Sequence, residues 1–287
     1  MSVAQRAAGD PARTLAPFGR RLAEATRSEP LGAYRLITVE DREGPPDPRP
    51  GQFYMLAAER QWGGQEPGRP YLPRAFSFCR SAPLAREGSG GATLSFLLEA
   101  IGPGTRRLGA LDVGEGVWLT GPLGVGFRPA IGRGLLVGGG IGVAPLVCLH
   151  DELDATRART LLGFRSAAHA TAARLFGSPE GPPATVATDD GSVGRHALVT
   201  ELLREQLDRD PDVTVYACGP PPMLEAVRLI CAERDVPAQL ALEAGMACGF
   251  GACFGCVVPT RRGYLRLCLD GPVLDAAILT AGVGGGH

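Results

Sequence analysis

The chain has 287 residues, with 29 lysine plus arginine residues against 30 aspartates and glutamates, a formal net charge of −1. That length allows more than one compact domain with its own hydrophobic core, so disulfide staples are not needed. The evenly spread charge lacks the basic tracts of nucleic-acid-binding proteins, and we predict no nucleic-acid partner. Glycines and Pro145 interrupt the most apolar windows, and residues 1–30 lack an apolar run of signal-peptide length, so we predict no membrane association and a cytoplasmic location.

The first part of the chain is predicted to form an arm followed by a β-domain. The first twenty or so residues show no sustained hydrophobic periodicity, as in a frayed arm or the lead-in to an early strand, and we assign residues 1–30 to an N-terminal arm. Between residues 31 and 130, short apolar runs such as AYRLITVE, QFYMLAA and ATLSFLLEA are separated by glycine and proline turns. This pattern predicts an antiparallel β-barrel.

Two short motifs in the barrel region have the chemistry of a flavin site. In RAFS, Arg74 can neutralise a pyrophosphate, Phe76 can cover an aromatic ring, and the Ser77 hydroxyl can bond to a flavin nitrogen. In GPGT, residues 102–105, a glycine turn at a helix start offers backbone N–H groups to a phosphate. Either motif alone is too short to identify a flavin protein.

Residues 131–240 alternate strand-like and helix-like segments, which predicts a parallel α/β sheet. The glycine turn VGGGIGVAP follows the first strand and resembles a dinucleotide-binding loop, although it does not fit G-x-G-x-x-G; close packing of strand on helix would explain the same glycines. The next strand ends in GFRS without an acidic residue, so NAD and NADP both stay open, and Arg165 could face a 2′-phosphate or solvent.

Other polar residues of this region stand at predicted strand ends. Cys218 ends the strand VTVYAC and should project at the carboxyl edge of the sheet, where ligands bind, so it is our candidate catalytic residue. Asp189 and Asp190 in TDDGS are adjacent and point in opposite directions, which favours a loop or helix-cap role.

The cysteine-rich segment, residues 241–287, carries the strongest motif. Its spacing is C-x4-C-x2-C-x11-C, with glycines between the first three cysteines. This is the spacing of plant-type [2Fe–2S] sites, whereas zinc favours two C-x2-C knuckles and a disulfide framework needs an oxidising compartment. The glycines let backbone N–H groups turn toward the sulfur atoms. We therefore predict a [2Fe–2S] cluster; zinc and disulfides are the weaker alternatives.

Taken together and in order, the chain's motifs resemble those of one known family. RAFS, GPGT, GPLGVGF, GGGIGVAPL, TDDGS, YACGP and MACGFGACFGC are similar to the electron-transfer subunit of NAD-linked (B-type) dihydroorotate dehydrogenase, within the ferredoxin–NADP reductase superfamily. The resemblance covers residues 33–276. It implies a multidomain β plus α/β fold, with an FAD-binding barrel at 31–130, an NAD-binding domain at 131–240 and a [2Fe–2S] domain at 241–287.

The resemblance also implies a function and a partner. Electrons from the FMN of a separate catalytic subunit would pass through the [2Fe–2S] cluster and FAD to NAD⁺, in pyrimidine (UMP) biosynthesis. The assembly would be a heterotetramer with two copies of each subunit.

The family's functional residues carry over by position. The FAD contacts map to Arg74, Ala75, Phe76, Ser77, Leu97, Leu98, Glu99, Gly104 and Thr105; the nicotinamide region maps to Gly138, Gly139, Gly140, Ile141, Gly142, Cys218, Gly219 and Pro220; the cluster ligands map to Cys248, Cys253, Cys256 and Cys268.

The chain departs from the family's sequence pattern at two places, and alternative functions stay open. Ala75 stands where the family usually has proline, and Ala244-Gly245-Met246 stands where it commonly reads Glu-Arg-Met, which removes a cation near the cluster. A diaphorase-type subunit of another complex, such as a sulfhydrogenase or a transhydrogenase, would share these motifs. A zinc-binding interaction module would not need the flavin motifs. Met246, Phe250 and Phe254 are the predicted docking face, or else they pack around the cluster itself.

Overall fold

The structure of the protein, a computed structural model, describes residues 10–280 apart from 18, 65, 86–89, 131, 154–156 and 178–182. Residues 1–9 of the predicted arm and residues 281–287 of the predicted cluster domain lie outside the described residues. The strands are β1 (Arg21–Leu31), β2 (Tyr34–Asp41), β3 (Phe53–Ala58), β4 (Arg74–Pro83), β5 (Ala92–Leu98), β6 (Gly116–Leu123), β7 (Gly134–Gly139), β8 (Ala158–Phe164), β9 (Thr185–Thr188), β10 (Arg195–His196), β11 (Thr214–Cys218), β12 (Ala238–Ala241), β13 (Val257–Thr260), β14 (Gly263–Arg266) and β15 (Val273–Asp275). The α-helices are α1 (Pro103–Gly109), α2 (Ala144–Glu152), α3 (Ala167–Ala170), α4 (Val199–Arg209), α5 (Pro221–Glu233) and α6 (Leu267–Asp270), with 3₁₀ turns at Gly140–Val143, Thr171–Phe176 and Ala276–Ile278.

The amino-terminal part of the molecule is a closed barrel in the order β1-β2-β5-β4-β3-β6. Neighbouring strands are antiparallel, and their side chains alternate between the barrel core and the outside. Tyr54, Phe78 and Phe96 fill the core with edge-to-face ring contacts. The predicted antiparallel barrel is confirmed.

The first barrel strand starts earlier in the chain than predicted. β1 pairs with β2 and with β6, so the arm boundary at residue 30 falls inside a barrel strand and is wrong. The sequence hides this strand because its first inward residue is Arg21, which is 5% exposed. Arg21 is tolerated there because it donates two hydrogen bonds to the buried Asp41 carboxylate, at 2.9 and 2.6 Å.

A second sheet follows, in the order β10-β9-β8-β7-β11-β12-β15. The strands from β10 to β12 are parallel, and every residue of β7 is buried, as expected for a central strand covered on both faces. The strand order reverses between β7 and β11, which lie side by side with Gly138 opposite Cys218. The glycine turn and Cys218 therefore meet at the switch point of the sheet, where such folds bind ligands.

The cysteine-rich segment is joined to both other parts. Its last strand, β15, pairs antiparallel with β12 and extends the second sheet, while β13 and β14 form a separate hairpin. Cys256 and Cys268 belong to a hydrophobic core that includes Phe53 and Met55 of the barrel. Within the described part of the chain, none of the helices combines the length and apolarity needed to cross a bilayer.

Candidate functional site

A cavity of about 580 Å³ opens at the carboxyl edge of the parallel sheet. Two facing turns line it, Gly139–Gly142 at the end of β7 and Gly219–Met223 at the start of α5. The ends of β8 and the start of α4 close its far side through Gly163–Arg165 and Leu198–Thr200. Its position and size suit a dinucleotide, and the predicted residues Gly139, Gly140, Ile141, Gly142, Gly219 and Pro220 all line it.

The glycines of the first turn serve two different purposes. A Cβ atom on Gly138 would lie 3.0 Å from the side chains of Leu162 and Val143, so this glycine permits close packing and does not line the cavity. A Cβ atom on Gly142 would lie 2.6 Å from the backbone nitrogen of Gly219, so that glycine lets the two turns approach each other. Close packing therefore explains Gly138 and Gly142, and the dinucleotide-binding role of the turn stays a prediction.

A polar cluster spans the barrel and the α/β domain at one end of this cavity. The Glu99 carboxylate accepts a hydrogen bond from the Arg165 guanidinium at 2.7 Å and lies 3.5 Å from Nε2 of His169. The Tyr34 ring meets the His169 ring edge-on, 5.6 Å between centroids. All four side chains line the cavity, and the Tyr34 hydroxyl is buried without a hydrogen-bond partner among the described residues. Burial, helped by the nearby Glu99, raises the pKa of Tyr34, which keeps its hydroxyl a donor.

A second cavity, of about 210 Å³, adjoins the first and faces the barrel. Ala75, Phe76, Ser77 and Leu97 line its barrel side, as the resemblance implies for a flavin. The Ser77 hydroxyl makes no hydrogen bond to any other described residue, so it is available to a ligand. The two cavities share Ile141, Gly142 and Glu243.

Other residues mapped from the family's FAD contacts lie outside this second cavity. Leu98 is buried in the barrel core, and the side chain of Glu99 faces the larger cavity. Arg74 packs across Gly104, where a Cβ atom would lie 2.8 Å from its Nε atom. The Thr105 hydroxyl accepts hydrogen bonds from the backbone of Ile101 and Gly102, both at 3.0 Å, and so closes its own turn. The structure brings together Arg74 and the glycine turn and separates Glu99 from them.

Sequence reasoning missed one acidic residue at the centre of the site. Glu243 lines both cavities and is exposed to solvent through them, although neighbouring protein surrounds much of its carboxyl. That burial raises its pKa. The sequence did offer one signal for this residue, since Glu243 comes shortly after β12, the parallel strand beside β11. The carboxyl ends of neighbouring parallel strands meet at one edge of the sheet, where ligands bind.

Cys218 stands beside Glu243 where the two cavities adjoin. Its side chain lines the smaller cavity with Ser77 and Glu243, although only 3% of the residue is exposed. Burial raises the pKa of its thiol well above the ordinary value, with the Glu243 carboxylate adding to the effect. A neutral, poorly nucleophilic thiol can shape and contact a ligand and is poorly suited to covalent chemistry.

The four cysteines of the C-terminal motif form two neighbouring pairs. Cys256 and Cys268 are buried with their sulfur atoms 3.2 Å apart. Cys248 and Cys253 are nearer the surface, and the Cys253 backbone donates to the Cys248 sulfur at 3.5 Å. Two neighbouring pairs suit a dinuclear iron site with two thiolates on each iron.

The loop around these sulfurs favours the thiolate form of Cys248, which belongs to the pair nearer the surface. Burial opposes ionisation of Cys248, but N–H groups of Cys253, Phe250 and Ala252 outweigh it and lower the pKa to about 7. Burial and the neighbouring Cys256 raise the pKa of Cys268 to about 12. The glycines that aim these donors, Gly249 and Gly251, have φ of 79° and 86°, which only glycine adopts freely. The donor set fits the predicted [2Fe–2S] cluster.

The same loop connects the flavin-side cavity to the surface. Met246 is half-buried and lines the smaller cavity, so it does not belong to an exposed docking face. Phe250 and Phe254 are 60% and 62% exposed, and the Arg266 guanidinium lies 5.0 Å from the centre of the Phe254 ring. Of the three residues predicted to form the docking face, Phe250 and Phe254 are therefore exposed and Met246 is not.

Comparison with known proteins places this arrangement in a family. Residues 243–280 match the model of the iron–sulfur cluster binding domain of dihydroorotate dehydrogenase B. The "dihydroorotate dehydrogenase B (NAD(+)), electron transfer subunit" of Caldanaerobacter subterraneus subsp. tengcongensis is 36% identical over 234 residues, covering 80% of this chain and 86% of the relative. The subunit of the same name from Geobacillus thermodenitrificans is 39% identical over 240 residues, covering 79% of this chain and 85% of the relative.

Solved structures support the fold. An NADH-dependent reduced ferredoxin–NADP oxidoreductase structure matches with a TM-score of 0.73 at 22% identity, covering 92% of this chain and 91% of that one. A ferredoxin NADP⁺ reductase from Neisseria gonorrhoeae with bound FAD and NADP matches with a TM-score of 0.57 at 15% identity, covering 75% and 91%. With relatives this similar over most of their own length, the chain belongs to the family of electron transfer subunits of dihydroorotate dehydrogenase B (NAD(+)).

Proposed function

We propose that this chain carries electrons from an FMN-containing dihydroorotate dehydrogenase catalytic subunit to NAD⁺, with a [2Fe–2S] cluster and FAD as its own cofactors. The observation that carries the proposal is contiguity: the cysteine loop, the barrel cavity and the dinucleotide cavity adjoin one another through Met246 and Glu243. Oxidation of dihydroorotate to orotate releases two electrons and two protons, and NAD⁺ takes up two electrons and one proton, so one proton goes to solvent.

The residues of the barrel cavity bind and orient the reacting rings. FAD would supply the conversion between one-electron and two-electron transfer. Ser77 offers a hydroxyl hydrogen bond at the cavity wall, and Phe76 contributes an aromatic face. Cys218 and Glu243 stand where the two cavities adjoin, so they contact a nicotinamide entering from the larger cavity and exclude water there.

Arg74 and the cysteines hold the charged parts of the cofactors. Arg74, beside the glycine turn at Gly104, neutralises a pyrophosphate. Cys248 and Cys253 would bind one iron, and Cys256 and Cys268 the other. Backbone N–H groups around Cys248 stabilise negative charge on sulfur.

The partner docks on the face that holds the cluster. Phe250 and Phe254 project beside the outer pair of cysteines, and exposed aromatic side chains of this kind mark interaction surfaces. A catalytic subunit seated there would bring its FMN within a short electron path. The assembly is a heterotetramer with two copies of each subunit, located in the cytoplasm and serving pyrimidine biosynthesis.

The proposal is tested with the chain co-expressed with its FMN-containing partner and purified anaerobically. We expect one FAD, two irons and two labile sulfides per chain, NADH-dependent bleaching of the flavin, and reduction of NAD⁺ on addition of dihydroorotate. A sample that contains zinc and no flavin would overturn the proposal. So would an active chain that couples NADH to a sulfhydrogenase or transhydrogenase partner and never to dihydroorotate.

A further inference from the structure

The side chain of Arg266 contacts the cysteine loop, residues 248–256, on both sides of Cys253. Its Nη1 atom donates a hydrogen bond to the Gly251 carbonyl oxygen at 3.0 Å. Its guanidinium carbon lies 5.0 Å from the centre of the Phe254 ring, within the range of a cation–π contact. One arginine thus holds the loop shortly before and directly after a predicted iron ligand.

The backbone of Arg266 is fixed independently of that loop. Arg266 ends β14, where it lies opposite Val257 of β13, and its backbone N–H donates to the Asp270 carboxylate at 2.9 Å. The hairpin of β13 and β14 connects Cys256 to Cys268, the buried pair of cysteines. Arg266 therefore reaches from the part of the motif that carries the buried pair to the part that carries the pair nearer the surface.

The peptide that accepts the hydrogen bond from Arg266 also carries a donor to sulfur. The Gly251 carbonyl and the Ala252 N–H belong to one planar trans peptide, so they point in opposite directions. The Ala252 N–H is directed at the Cys248 sulfur, as is the next N–H along the chain, that of Cys253, whose nitrogen lies 3.5 Å from the same sulfur. The Arg266 guanidinium and the Cys248 sulfur are thus the two ends of one chain of hydrogen bonds.

The cation at one end of this chain is not neutralised by an acid. Among the described residues no carboxylate forms an ion pair with the Arg266 guanidinium; Asp270 accepts only from its backbone. A charged donor makes a stronger hydrogen bond than a neutral one, and hydrogen bonds in a chain polarise one another. The bond from Arg266 to the carbonyl therefore makes the Ala252 N–H a stronger donor to the Cys248 sulfur.

We propose that Arg266 is a positioning residue that raises the reduction potential of the [2Fe–2S] cluster, acting on the Cys248 sulfur through the Gly251–Ala252 peptide. The inference rests on the proposed function, because it requires that the four cysteines hold this cluster. An added electron increases the negative charge on the cluster and its sulfur ligands, and N–H donors to sulfur stabilise that charge. A stronger donor therefore favours the reduced form, and the cluster accepts an electron from the catalytic subunit more readily.

The test removes both the charge and the donor with Arg266→Met, in the purified complex with the catalytic subunit. The potential is measured by a redox titration followed by electron paramagnetic resonance, which distinguishes the reduced cluster from the flavins. At the wild-type midpoint, the ratio of reduced to oxidised cluster should fall roughly threefold, the size expected for the loss of one half-buried cation. Arg266→Lys keeps a charged donor without the planar guanidinium and should restore most of that ratio.

Arg262→Met is the matched control for the loss of a positive charge. Arg262 is exposed at the turn of the same hairpin, whereas Arg266 lies at its other end, so the two residues are roughly 10 Å apart along the strand. Charges exposed to solvent are largely screened over that distance at about 0.1 M salt. The control should leave the potential at the wild-type value.

The outcomes separate this inference from the function on which it rests. If Arg266→Met keeps both its iron and the wild-type potential, or if Arg262→Met shifts the potential as much, the inference is overturned. An equal shift in Arg266→Lys and Arg266→Met would also overturn it, since packing against Phe254 would then be responsible. If Arg266→Met loses its iron, retention of iron at the wild-type potential in Arg266→Lys supports the inference, and loss of iron from both variants overturns it. A wild-type complex without a cluster signal would instead refute the proposed function.

Discussion

Two cysteines of this chain are equally buried but differ in what surrounds them. Cys256 is 2% exposed and lies 3.2 Å from the sulfur of Cys268, whereas Cys231 is 1% exposed within α5 and packs in the hydrophobic core. Burial raises the pKa of the Cys231 thiol to about 12, so it behaves as a small apolar residue. Burial alone therefore does not identify a ligand; the spacing of neighbouring sulfurs does.

The first prediction compares these two cysteines. Cys256→Ser should lose most of the iron and labile sulfide and the visible absorbance of the cluster, because a serine hydroxyl is a poor substitute for a thiolate ligand. The FAD content should stay near one per chain, since the barrel cavity has its own residues. Cys231→Ser should keep the cluster. Equal loss of iron in both variants would show that general destabilisation, and not ligation, is responsible.

The second prediction concerns Glu243 and the sign of its pH dependence. Burial raises the pKa of its carboxyl, so the folded protein binds that proton more tightly than the unfolded chain does. Its contribution to stability is therefore full below the ordinary carboxyl pKa and is lost as pH rises through the raised one. Glu243→Gln, which cannot ionise, should melt above the wild type at pH 8, with a smaller gain at pH 5; the gain should be small because Glu243 is solvent-exposed and water screens its charge.

Glu205 provides a control of opposite sign for this titration. The hydrogen bond from Arg195 lowers the pKa of Glu205, so its contribution to stability is present above the ordinary carboxyl pKa. Glu205→Gln should therefore show no gain in melting temperature that grows with pH. A Glu243→Gln melting temperature that differs from wild type by the same amount at pH 5 and pH 8 would contradict the second prediction.

At the scale of single elements, the sequence allowed us to predict motifs made of neighbouring residues, but it did not show which distant strands pair with each other. The cysteine motif and the RAFS motif are each short segments of sequence. In the structure Ser77 lines the smaller cavity, and the sulfurs of Cys256 and Cys268 lie 3.2 Å apart. β1 was missed because its inward Arg21 breaks the apolar alternation, and only Asp41 on β2 explains that arginine. The role of β15 in the second sheet also depends on a partner strand far away in sequence.

The third prediction belongs to the two turns that line the larger cavity. Gly142→Ala would place a Cβ atom 2.6 Å from the backbone of Gly219, so the turn that carries Cys218 must move. NADH binding should weaken by at least about tenfold while FAD content is kept, because small displacements of positioning groups are costly. The binding is measured by titrating the oxidised protein with NADH analogues.

Gly177→Ala is the matched control for that substitution. Gly177 has φ of −68°, and a Cβ atom there would make only an ordinary contact of 3.6 Å with the Arg174 carbonyl oxygen. It should bind nucleotide like the wild type. If Gly142→Ala does the same, the close approach of the two turns has no bearing on the dinucleotide.

At the scale of the whole molecule, the site exists only because separate parts of the chain meet. Tyr34 and Glu99 come from the barrel, Arg165 and Cys218 from the parallel sheet, and Glu243 from the segment that leads into the cysteine loop. No local pattern predicts such a junction, because it depends on how the barrel packs against the sheet. The sequence thus allowed prediction of the fold class and the cofactors, while the residues that connect the parts required the structure.

The last prediction tests the surface by which electrons enter the molecule. Phe254 is 62% exposed with φ of 59°, a conformation that aspartate adopts more readily than phenylalanine, so Phe254→Asp should not strain the loop. Phe250→Asp changes the other exposed aromatic. Each should weaken binding to the catalytic subunit by about 2 kcal/mol or more, roughly thirtyfold, because a charge would replace an aromatic anchor.

The readouts separate docking from the chemistry inside the chain. In both variants NADH-driven reduction of an artificial acceptor should stay near the wild-type rate, with unchanged iron, whereas dihydroorotate-dependent reduction of NAD⁺ should fall with the loss of complex. Leu229→Asp is the control, since Leu229 is 45% exposed on α5 and lines neither cavity. It should leave both reactions unchanged. If the phenylalanine variants bind the partner as tightly as Leu229→Asp does, the electrons enter by another face, and the aromatic rings serve only to cover the cluster.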